Sequence, residues 1–528
     1  MFWADELAAS ATGPQVVNDS KTPSGTVHVG SLRGPVVVDT IARALRAAGV
    51  PVELRYGVDD LDPMDAQALL TPDAIERFMG VPLCAVPDPE GDCHPSYARH
   101  FAGVFVDTFD GLGIRPDVYY WMSEIYASGE MDRYLRTALD AAAVIRDIYR
   151  RVANVNHPDE WHPAMVVCER CGRIGTTIVI GWDGELARYE CRPDLRDWAV
   201  GCGHAGEISP FGGRAKLPYN VDWAAKWHLF GVTIEPAGKD LSTKGGSRDR
   251  SDAIAREVFG IEPPLNVPYE FLNIGGKKMS TSKGLGASAQ RITEVIPPEQ
   301  LRTLFLRPKP NTAIEFDPDG TDAIPRLFDE SDRLAAATAG REVRGELPAD
   351  HDRLFAFSLV DPGADVAAEA AAYRPAFSHL AMLEQVPGVD LAERVSAEKG
   401  GELTVRELEI LAERRAAASA WLEAYAPERA RLAVQRDALP DAIAEADAGQ
   451  RAYLGALAPA LASLGAWDGE SVQSAIFATA AERELPPGRA FAALYLAFLG
   501  RSSGPRAGWL LAALDRGFVM DRLREAAS

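Results

Sequence analysis

The sequence predicts an α/β fold, with a Rossmann-type parallel-sheet domain followed by an all-α region. Residues 15–20 (QVVNDS) have the pattern of a short buried strand that ends in a glycine-containing turn. Residues 51–62 give a second strand and an acidic loop, and the apolar residues between the two strands recur every three or four positions up to Gly49. Strand, helix and strand in this order form a βαβ unit, from which parallel nucleotide-binding sheets are built.

The alternation continues along the chain. Helical patterns cover residues 96–112 and 129–153, with a strand pattern at 117–122 between them. From about residue 160 to 212, cysteine, glycine and β-branched residues predominate, which indicates a small inserted module. After Pro308 the chain is rich in Ala, Leu, Glu and Arg at helical spacing, so the second half is predicted to be helical.

Length and charge exclude several classes of protein. A chain of 528 residues is too long for a peptide, a toxin or a single small binding module. The 55 basic and 76 acidic residues give a net charge of −21, which opposes nonspecific adhesion to nucleic acid or to an anionic membrane but allows a local basic groove. No apolar run reaches the roughly 18 residues of a membrane helix, and the N-terminal segment is acidic. We therefore expect a cytoplasmic protein with neither a membrane nor DNA as partner.

A glycine turn, PSGTVHVGS at residues 23–31, follows the first strand and leads into a helix N-terminus. That arrangement offers backbone N–H groups to phosphate oxygens. His28 can add a hydrogen bond to a phosphate, and Gly30 lets a base or ribose approach the backbone. A turn with a capping histidine is the more common meaning of such a pattern when it occurs alone.

A second glycine-bracketed loop, GGKKMSTSKG, covers residues 275–284. It alternates lysines (Lys277, Lys278, Lys283) with hydroxyl residues (Ser280, Thr281, Ser282). Such donors suit the charge that spreads over a triphosphate during nucleotidyl transfer. A solvated charged loop is the ordinary alternative.

Four of the six cysteines fall within a 35-residue window: Cys168, Cys171, Cys191 and Cys202. The Cys-x-x-Cys pair and the clustering predict a structural tetrahedral zinc site, with His204 as an alternative to Cys191. Four reduced core cysteines are the competing interpretation. Cys84 and Cys93 stand apart and are interpreted as plain core or loop thiols.

The two loops together resemble the signature motifs of class I aminoacyl-tRNA synthetases. HVGS at residues 28–31 occupies the place of the first motif, and KMSTSK at 278–283 that of the second. The segments VCERCG at 167–172, GCGHAGEISPFGGRAKLPYNVDWAAKW at 201–227 and EPAGKD at 235–240 are similar to class I lysyl-tRNA synthetases. The resemblance covers nearly the whole chain.

The resemblance implies a lysine-tRNA ligase that uses ATP with Mg²⁺ to form lysyl-adenylate and then charges tRNA(Lys). It implies His28, Gly30, Lys278 and Lys283 as the catalytic residues. It implies ATP contacts from Ser24, Gly25, His28, Gly30, Ser31, Lys278, Met279, Ser280 and Lys283. Three positions depart from the family pattern: Ser31 replaces a histidine, Thr281 stands where most of the class have lysine, and Leu241 stands where histidine is expected.

Lysine as substrate requires a carboxylate and preferably an aromatic face for its ammonium group. We expect Asp222, Trp223 and Tyr269 to supply these groups, with Gly25 and Thr26 beside the α-amino end. Trp227 offers the same chemistry as Trp223, and Asp60 and Asp62 are a further acidic source. Core packing for the two tryptophans and a helix N-cap for Asp222 are equally good alternatives.

The expected domains are a catalytic domain (1–286) with its zinc-binding insertion (about 160–212), a connecting stem-contact domain (287–345) and a helical anticodon-binding domain (346–528). Within the last, residues 406–436 combine arginines with Trp421 and Tyr425, as unstacked bases would require. The expected partners are tRNA(Lys), L-lysine and ATP. One rival is a paralogue that activates an amino acid for a non-tRNA acceptor, and another is a noncatalytic RNA-binding derivative.

Overall fold

The computed structural model describes residues 1–65, 71–91, 93–275, 277–278, 289–386 and 389–528. The chain forms two compact units. The first comprises Met1–Thr293, Pro298–Phe316 and Gly345–Ala364, and the second comprises Glu294–Pro297, Asp317–Arg344 and Asp365–Ser528.

The elements up to the end of the inserted module follow one another in this order. They are α1 (Trp3–Ser10), β1 (Gln15–Lys21), α2 (Arg33–Ala47), β2 (Val52–Val58), α3 (Pro72–Phe78), α4 (Tyr97–Gly111), β3 (Val118–Trp121), α5 (Met122–Ala127), α6 (Asp132–Asp140), α7 (Ala142–Ala153), β4 (Met165–Val166), β5 (Thr177–Trp182), β6 (Ala187–Cys191), β7 (Ala205–Ile208) and β8 (Ala215–Lys216).

The chain then continues through short strands and helices. They are α8 (Tyr219–Phe230), β9 (Ala237–Gly238), α9 (Ser247–Glu257), β10 (Pro268–Tyr269), β11 (Leu272–Ile274), β12 (Lys277–Lys278), α10 (Ala289–Val295), α11 (Pro298–Leu306), β13 (Ile314–Glu315), α12 (Ala323–Thr338) and α13 (His351–Ser358).

The remaining elements are all helical. They are α14 (Val366–Ala371), α15 (Phe377–Leu383), α16 (Leu391–Lys399), α17 (Val405–Ala424), α18 (Ala448–Ala462), α19 (Gly469–Glu482), α20 (Pro487–Leu499), α21 (Ala507–Ala513) and α22 (Arg516–Ala527).

A parallel sheet in the order β1-β2-β3 forms the centre of the first unit. Gln15 pairs with Val52 and Lys21 with Val58, so β1 and β2 are in register over their whole length. Parallel bridges from Val17 to Ile234, and from Ile234 to Leu265, extend the sheet beyond β1. The predicted α/β class is confirmed, and the carboxyl ends of the strands meet at one edge.

Helix α2 is held in place by buried arginines. Arg43 pairs with Asp39 at 2.9 Å and donates to the carbonyls of Gly113 and Leu359. Arg302, which has no exposed surface, also pairs with Asp39, at 2.7 Å. Near the start of the helix, Arg33 donates to carbonyl oxygens of segments 270–271 and 309–312. Because a buried guanidinium fixes several acceptors at once, these bonds set the position of α2.

The predicted long helix over 129–153 is wrong, because the structure has two helices there, α6 and α7. The backbone leaves helical geometry at Ala141 (φ −92°, ψ 17°). The buried positions Leu135, Ala138, Ala142 and Ile145 nevertheless keep a continuous helical spacing across the break. The apolar pattern therefore contains no signal for it.

The inserted segment forms a small antiparallel sheet, β5-β6-β7, beside the two-stranded pair β4-β8. The second unit is helical, which confirms the prediction for this half of the chain. Capping boxes begin α17 (Thr404 with Glu407) and α18 (Asp447 with Gln450).

Trp421 is buried and meets the ring of Phe377 edge to face at 5.7 Å, so it contributes to the core of the second unit. The expectation that it stacks on RNA is wrong. Among the helices that the structure describes, none combines the length and apolar character needed to cross a membrane.

Candidate active site

The glycine turn lies at the carboxyl edge of the parallel sheet. It begins after β1 ends at Lys21, and it enters α2 through a short 3₁₀ turn, Val29–Leu32, that His28 precedes. Gly25 has φ of 145°, a backbone conformation that favours glycine. Ligands of open α/β sheets bind outside the carboxyl ends of the strands, so this edge is the candidate active site.

The structure brings together the residues expected from the first motif: Ser24, Gly25, His28, Gly30 and Ser31. For the second motif, Lys278 lies in β12, whose backbone pairs it with Asn273. Met279, Ser280, Thr281 and Lys283 lie outside the described residues. The relative placement of the two motifs therefore stays a prediction.

Asp59, directly after β2, forms a buried ion pair. Lys226 of α8 donates to its carboxylate at 2.6 Å, and the Ser20 hydroxyl donates at 3.0 Å. Burial alone would raise the pKa of Asp59, but the ammonium groups of Lys226 and Lys216 outweigh it and hold the pKa below its ordinary value. The pair joins the end of β2 to α8.

The neighbouring acids are engaged in the same way. Asp60 accepts hydrogen bonds from the Ser123 backbone N–H at 2.8 Å and from its hydroxyl at 2.5 Å. Asp62 pairs with Lys216 and accepts from the Thr22 hydroxyl at 2.7 Å. Protein donors therefore occupy both acids that the sequence offered as a further acidic source.

Asp222 lies inside the first turn of α8, so it is not the N-cap residue. It accepts a hydrogen bond from the Tyr126 hydroxyl at 2.5 Å and lies 3.5 Å from the Lys226 ammonium. The carboxylate of Asp222 is therefore already paired with a cation of the protein, because Lys226 lies four residues later in the same helix.

The two tryptophans of α8 are also core residues. The indole N–H groups of Trp223 and Trp227 donate to the two oxygens of Glu235, at 2.9 and 2.6 Å. Both rings are almost completely buried. In the structure, these two hydrogen bonds orient the Glu235 carboxylate.

Tyr269 behaves differently from the residues of α8. It lies in β10, pairs with Gly238 of β9 and is only partly buried. Leu241, in the histidine position of the family pattern, packs against the hydrophobic core of the first unit.

The four clustered cysteines converge in the inserted module. The sulfur atoms of Cys168 and Cys202 are 3.6 Å apart, and those of Cys171 and Cys191 are 3.7 Å apart. All four lie within 4.8 Å of one another. A tetrahedral zinc ion with Zn–S bonds of about 2.3 Å requires sulfurs about 3.8 Å apart, so this donor set fits zinc. The His204 side chain is not part of the group.

A second group of potential metal ligands follows the short 3₁₀ turn Leu83–Ala85. Cys93 Sγ is 2.9 Å from Asp88 Oδ2, 3.1 Å from His94 Nδ1 and 3.3 Å from His100 Nδ1. These four residues also lie within 4.8 Å of one another. Cys93 therefore lies in a cluster of potential metal ligands, whereas the sequence placed it apart from the other cysteines. Cys84 differs, because burial raises the pKa of its thiol to about 12.

The comparison with known proteins agrees with this geometry. Residues 1–360 match the family described as "tRNA synthetases class I (K)", and residues 426–527 match the "Anticodon binding domain". The chain belongs to the class I tRNA synthetases of this family.

Relatives that match over the full length of the chain identify its branch of the family. The chain is 33% identical over 542 residues to a protein named lysine–tRNA ligase from Archaeoglobus fulgidus, with all of both chains covered. It is 33% identical over 548 residues to the ligase of that name from Methanosarcina barkeri strain Fusaro, covering 100% of this chain and 98% of the relative. The Methanocaldococcus jannaschii protein of the same name is 32% identical, with 99% of each covered. The resemblance read from the motifs is confirmed.

We predict that Lys226→Met lowers the free energy of unfolding by about 3–5 kcal/mol, because it leaves Asp59 and Asp222 buried without their cation. Urea unfolding followed by tryptophan fluorescence measures the change. The matched control is Lys239→Met, since the partly exposed Lys239 pairs with Glu270 at 2.6 Å, and it should cost less than about 1 kcal/mol. Equal losses in the two variants would contradict the role given to Lys226.

Proposed function

We propose that this protein is a lysine-tRNA ligase. The lysine carboxylate attacks the α-phosphorus of ATP, pyrophosphate leaves, and the lysyl group then passes to the terminal adenosine of tRNA(Lys). The observation that carries the proposal is similarity to proteins named lysine–tRNA ligase over the full length, with the first signature turn at the carboxyl edge of the sheet.

Neither step requires a covalent bond to the protein, so the site works by positioning and by stabilising charge. His28 and Gly30 are proposed to hold the triphosphate and the adenosine at the turn, with Ser24, Gly25 and Ser31 around them. Lys278 and Lys283, with Met279 and Ser280, are proposed to neutralise the charge that develops on the phosphates. Mg²⁺ accompanies ATP as part of the substrate.

For the lysine pocket, Gly25, Thr26 and Tyr269 remain the proposed contacts. Asp222 and Trp223 are proposed to act from behind the pocket, since the first holds Lys226 and the second holds Glu235. In this proposal the two residues orient neighbouring charged groups of the sheet edge. They are themselves buried and do not contact the substrate.

The domain organisation stays a proposal with the boundaries predicted above: catalytic 1–286 with the insertion at about 160–212, connecting 287–345, and anticodon-binding 346–528. The family match at 426–527 supports tRNA as the acceptor. A ligase for a non-tRNA acceptor would have no use for an anticodon-binding domain.

We propose that Cys168, Cys171, Cys191 and Cys202 hold one structural Zn²⁺, because four thiolates leave no open position for substrate. The mixed oxygen, sulfur and nitrogen donors of the Asp88 group suit a second zinc ion. The first ion would join the turn after β4, with Cys168 and Cys171, to Cys191 of β6 and to Cys202 in the loop that follows.

Lys283→Ala is expected to abolish lysine charging while tRNA affinity stays nearly unchanged, because the lysine acts on the phosphates of ATP and not on the anticodon. Aminoacylation with labelled lysine and a tRNA filter-binding assay measure the two quantities. Arg256→Ala, at an exposed ion pair with Glu262, serves as the control. Charging that survives in Lys283→Ala would overturn the assignment.

Metal analysis of the purified protein is expected to give two equivalents of zinc. Cys202→Ser and Cys93→Ser should each remove about one equivalent, because each takes one ligand from a different group. Cys84→Ser should remove none. Less than about half an equivalent in the unchanged protein would contradict both sites.

A further inference from the structure

The acids at the carboxyl edge of the sheet divide into two kinds. Those already described have hydrogen-bond or ion-pair partners within the protein: Asp59, Asp60, Asp62, Asp222 and Glu235. Asp19 of β1 is the exception. Its Oδ1 accepts from the Ser20 N–H at 2.9 Å, whereas its Oδ2 has no hydrogen-bond or ion-pair partner in the part of the chain that is described.

Asp19 and Tyr269 meet at Gly34 of α2. A Cβ atom added to Gly34 would lie 2.9 Å from Asp19 Oδ2 and 2.9 Å from the Tyr269 hydroxyl oxygen. Only a glycine at this position lets both oxygens approach the helix so closely, so the two oxygens face the same point on α2. Asp19 and Tyr269 both keep some exposed surface although the protein surrounds them.

The electrostatics of this space favour an incoming cation. Burial, and after it the negative charge of Glu235, raise the pKa of Asp19 to about 7, while the Ser20 N–H and Lys21 act in the opposite direction. Asp59 adds a smaller negative contribution. Lys21 interacts with Asp19 electrostatically, but the two form no ion pair within 4.0 Å. Among the described residues, the carboxylate therefore has acids as neighbours and no cation in direct contact.

A carboxylate and a tyrosine hydroxyl that face the same point supply the hydrogen-bond acceptors that an alkylammonium group needs when it leaves water. We infer that Asp19, together with Tyr269, receives the side-chain ammonium of the amino-acid substrate and determines its specificity. The inference rests on the proposed ligase function and deepens it. It moves the recognition of charge from Asp222, which Lys226 neutralises, to an acid that has no ion-pair partner among the described residues.

The isosteric variant Asp19→Asn removes the charge and keeps the shape. We expect kcat/KM for lysine in tRNA charging to fall about tenfold to a hundredfold, the range of one charge-assisted hydrogen bond, with the KM for ATP unchanged. Norleucine lacks the side-chain ammonium, so it should inhibit the variant and the wild-type protein equally. Because only lysine loses affinity, the variant should discriminate less between lysine and norleucine. Asp117→Asn, at the amino end of β3, is the matched control and should leave kinetics unchanged.

Gly34→Ala provides a second variant that keeps every charge. Its methyl group would press on both oxygens, so the KM for lysine should rise while the thermal unfolding midpoint shows that the protein is folded. In the unchanged protein the KM for lysine should also rise as pH falls from 8 to 6, because Asp19 is protonated below its raised pKa, and in Asp19→Asn this rise should disappear.

The outcomes separate the two proposals. If the unchanged protein charges tRNA with lysine but Asp19→Asn has unaltered lysine kinetics, the inference is wrong and the ligase function stands. Equal losses for lysine and norleucine binding would assign Asp19 to the α-ammonium and overturn the specificity role. A changed KM for ATP alone would place Asp19 in the nucleotide site. Absence of lysine charging by the unchanged protein would contradict the ligase function itself.

Discussion

The buried pair between Lys226 and Asp59 is the interaction on which the site depends. It joins the end of β2 to α8, and Asp222 stabilises the same ammonium from within the helix. Two buried carboxylates and one ammonium are stable only when each finds its partner and its hydrogen bonds. Ser20 and Thr22 donate to Asp59 and Asp62, so the acidic loop also fixes the start of the glycine turn.

The other side of the turn is fixed by α2. Its buried arginines, Arg33 and Arg43, donate to carbonyl groups from distant parts of the first unit, and Arg302 shares Asp39 with Arg43. The turn that would meet ATP is thereby held between an ion pair at β2 and a set of guanidinium bonds at α2. Such preorganisation suits a reaction in which the protein contributes position and charge and forms no covalent intermediate.

Local patterns predicted the parts of the fold that they encode. β1, α2 and β2 were recoverable because their apolar periodicity and turn residues are local, and the thiolate set was recoverable because Cys-x-x-Cys has a defined spacing. The break at Ala141 could not be predicted, because the helical spacing of buried positions continues through it. The Asp88 group mixes three residue types without a spacing rule, so only the folded chain shows that they meet.

The proposed lysine pocket shows the same limit more sharply. Sequence reasoning chose Asp222 by its aromatic neighbours, although Lys226 four residues later was a local sign that it is paired. The pairing of Lys226 with Asp59, 167 residues away, leaves no local sign at all. Whether an acid has a free oxygen depends on such distant partners, and for that reason Asp19 could be proposed only once the folded structure was known.

The most direct test is to charge total tRNA with labelled lysine, glutamate, arginine and cysteine in parallel, with ATP and Mg²⁺ present. Attachment of lysine alone is the result predicted by the proposed site, in which Asp19, without an ion-pair partner among the described residues, and Tyr269 receive an ammonium group. Attachment of another amino acid, or ATP turnover without attachment to tRNA, would contradict this account of the site.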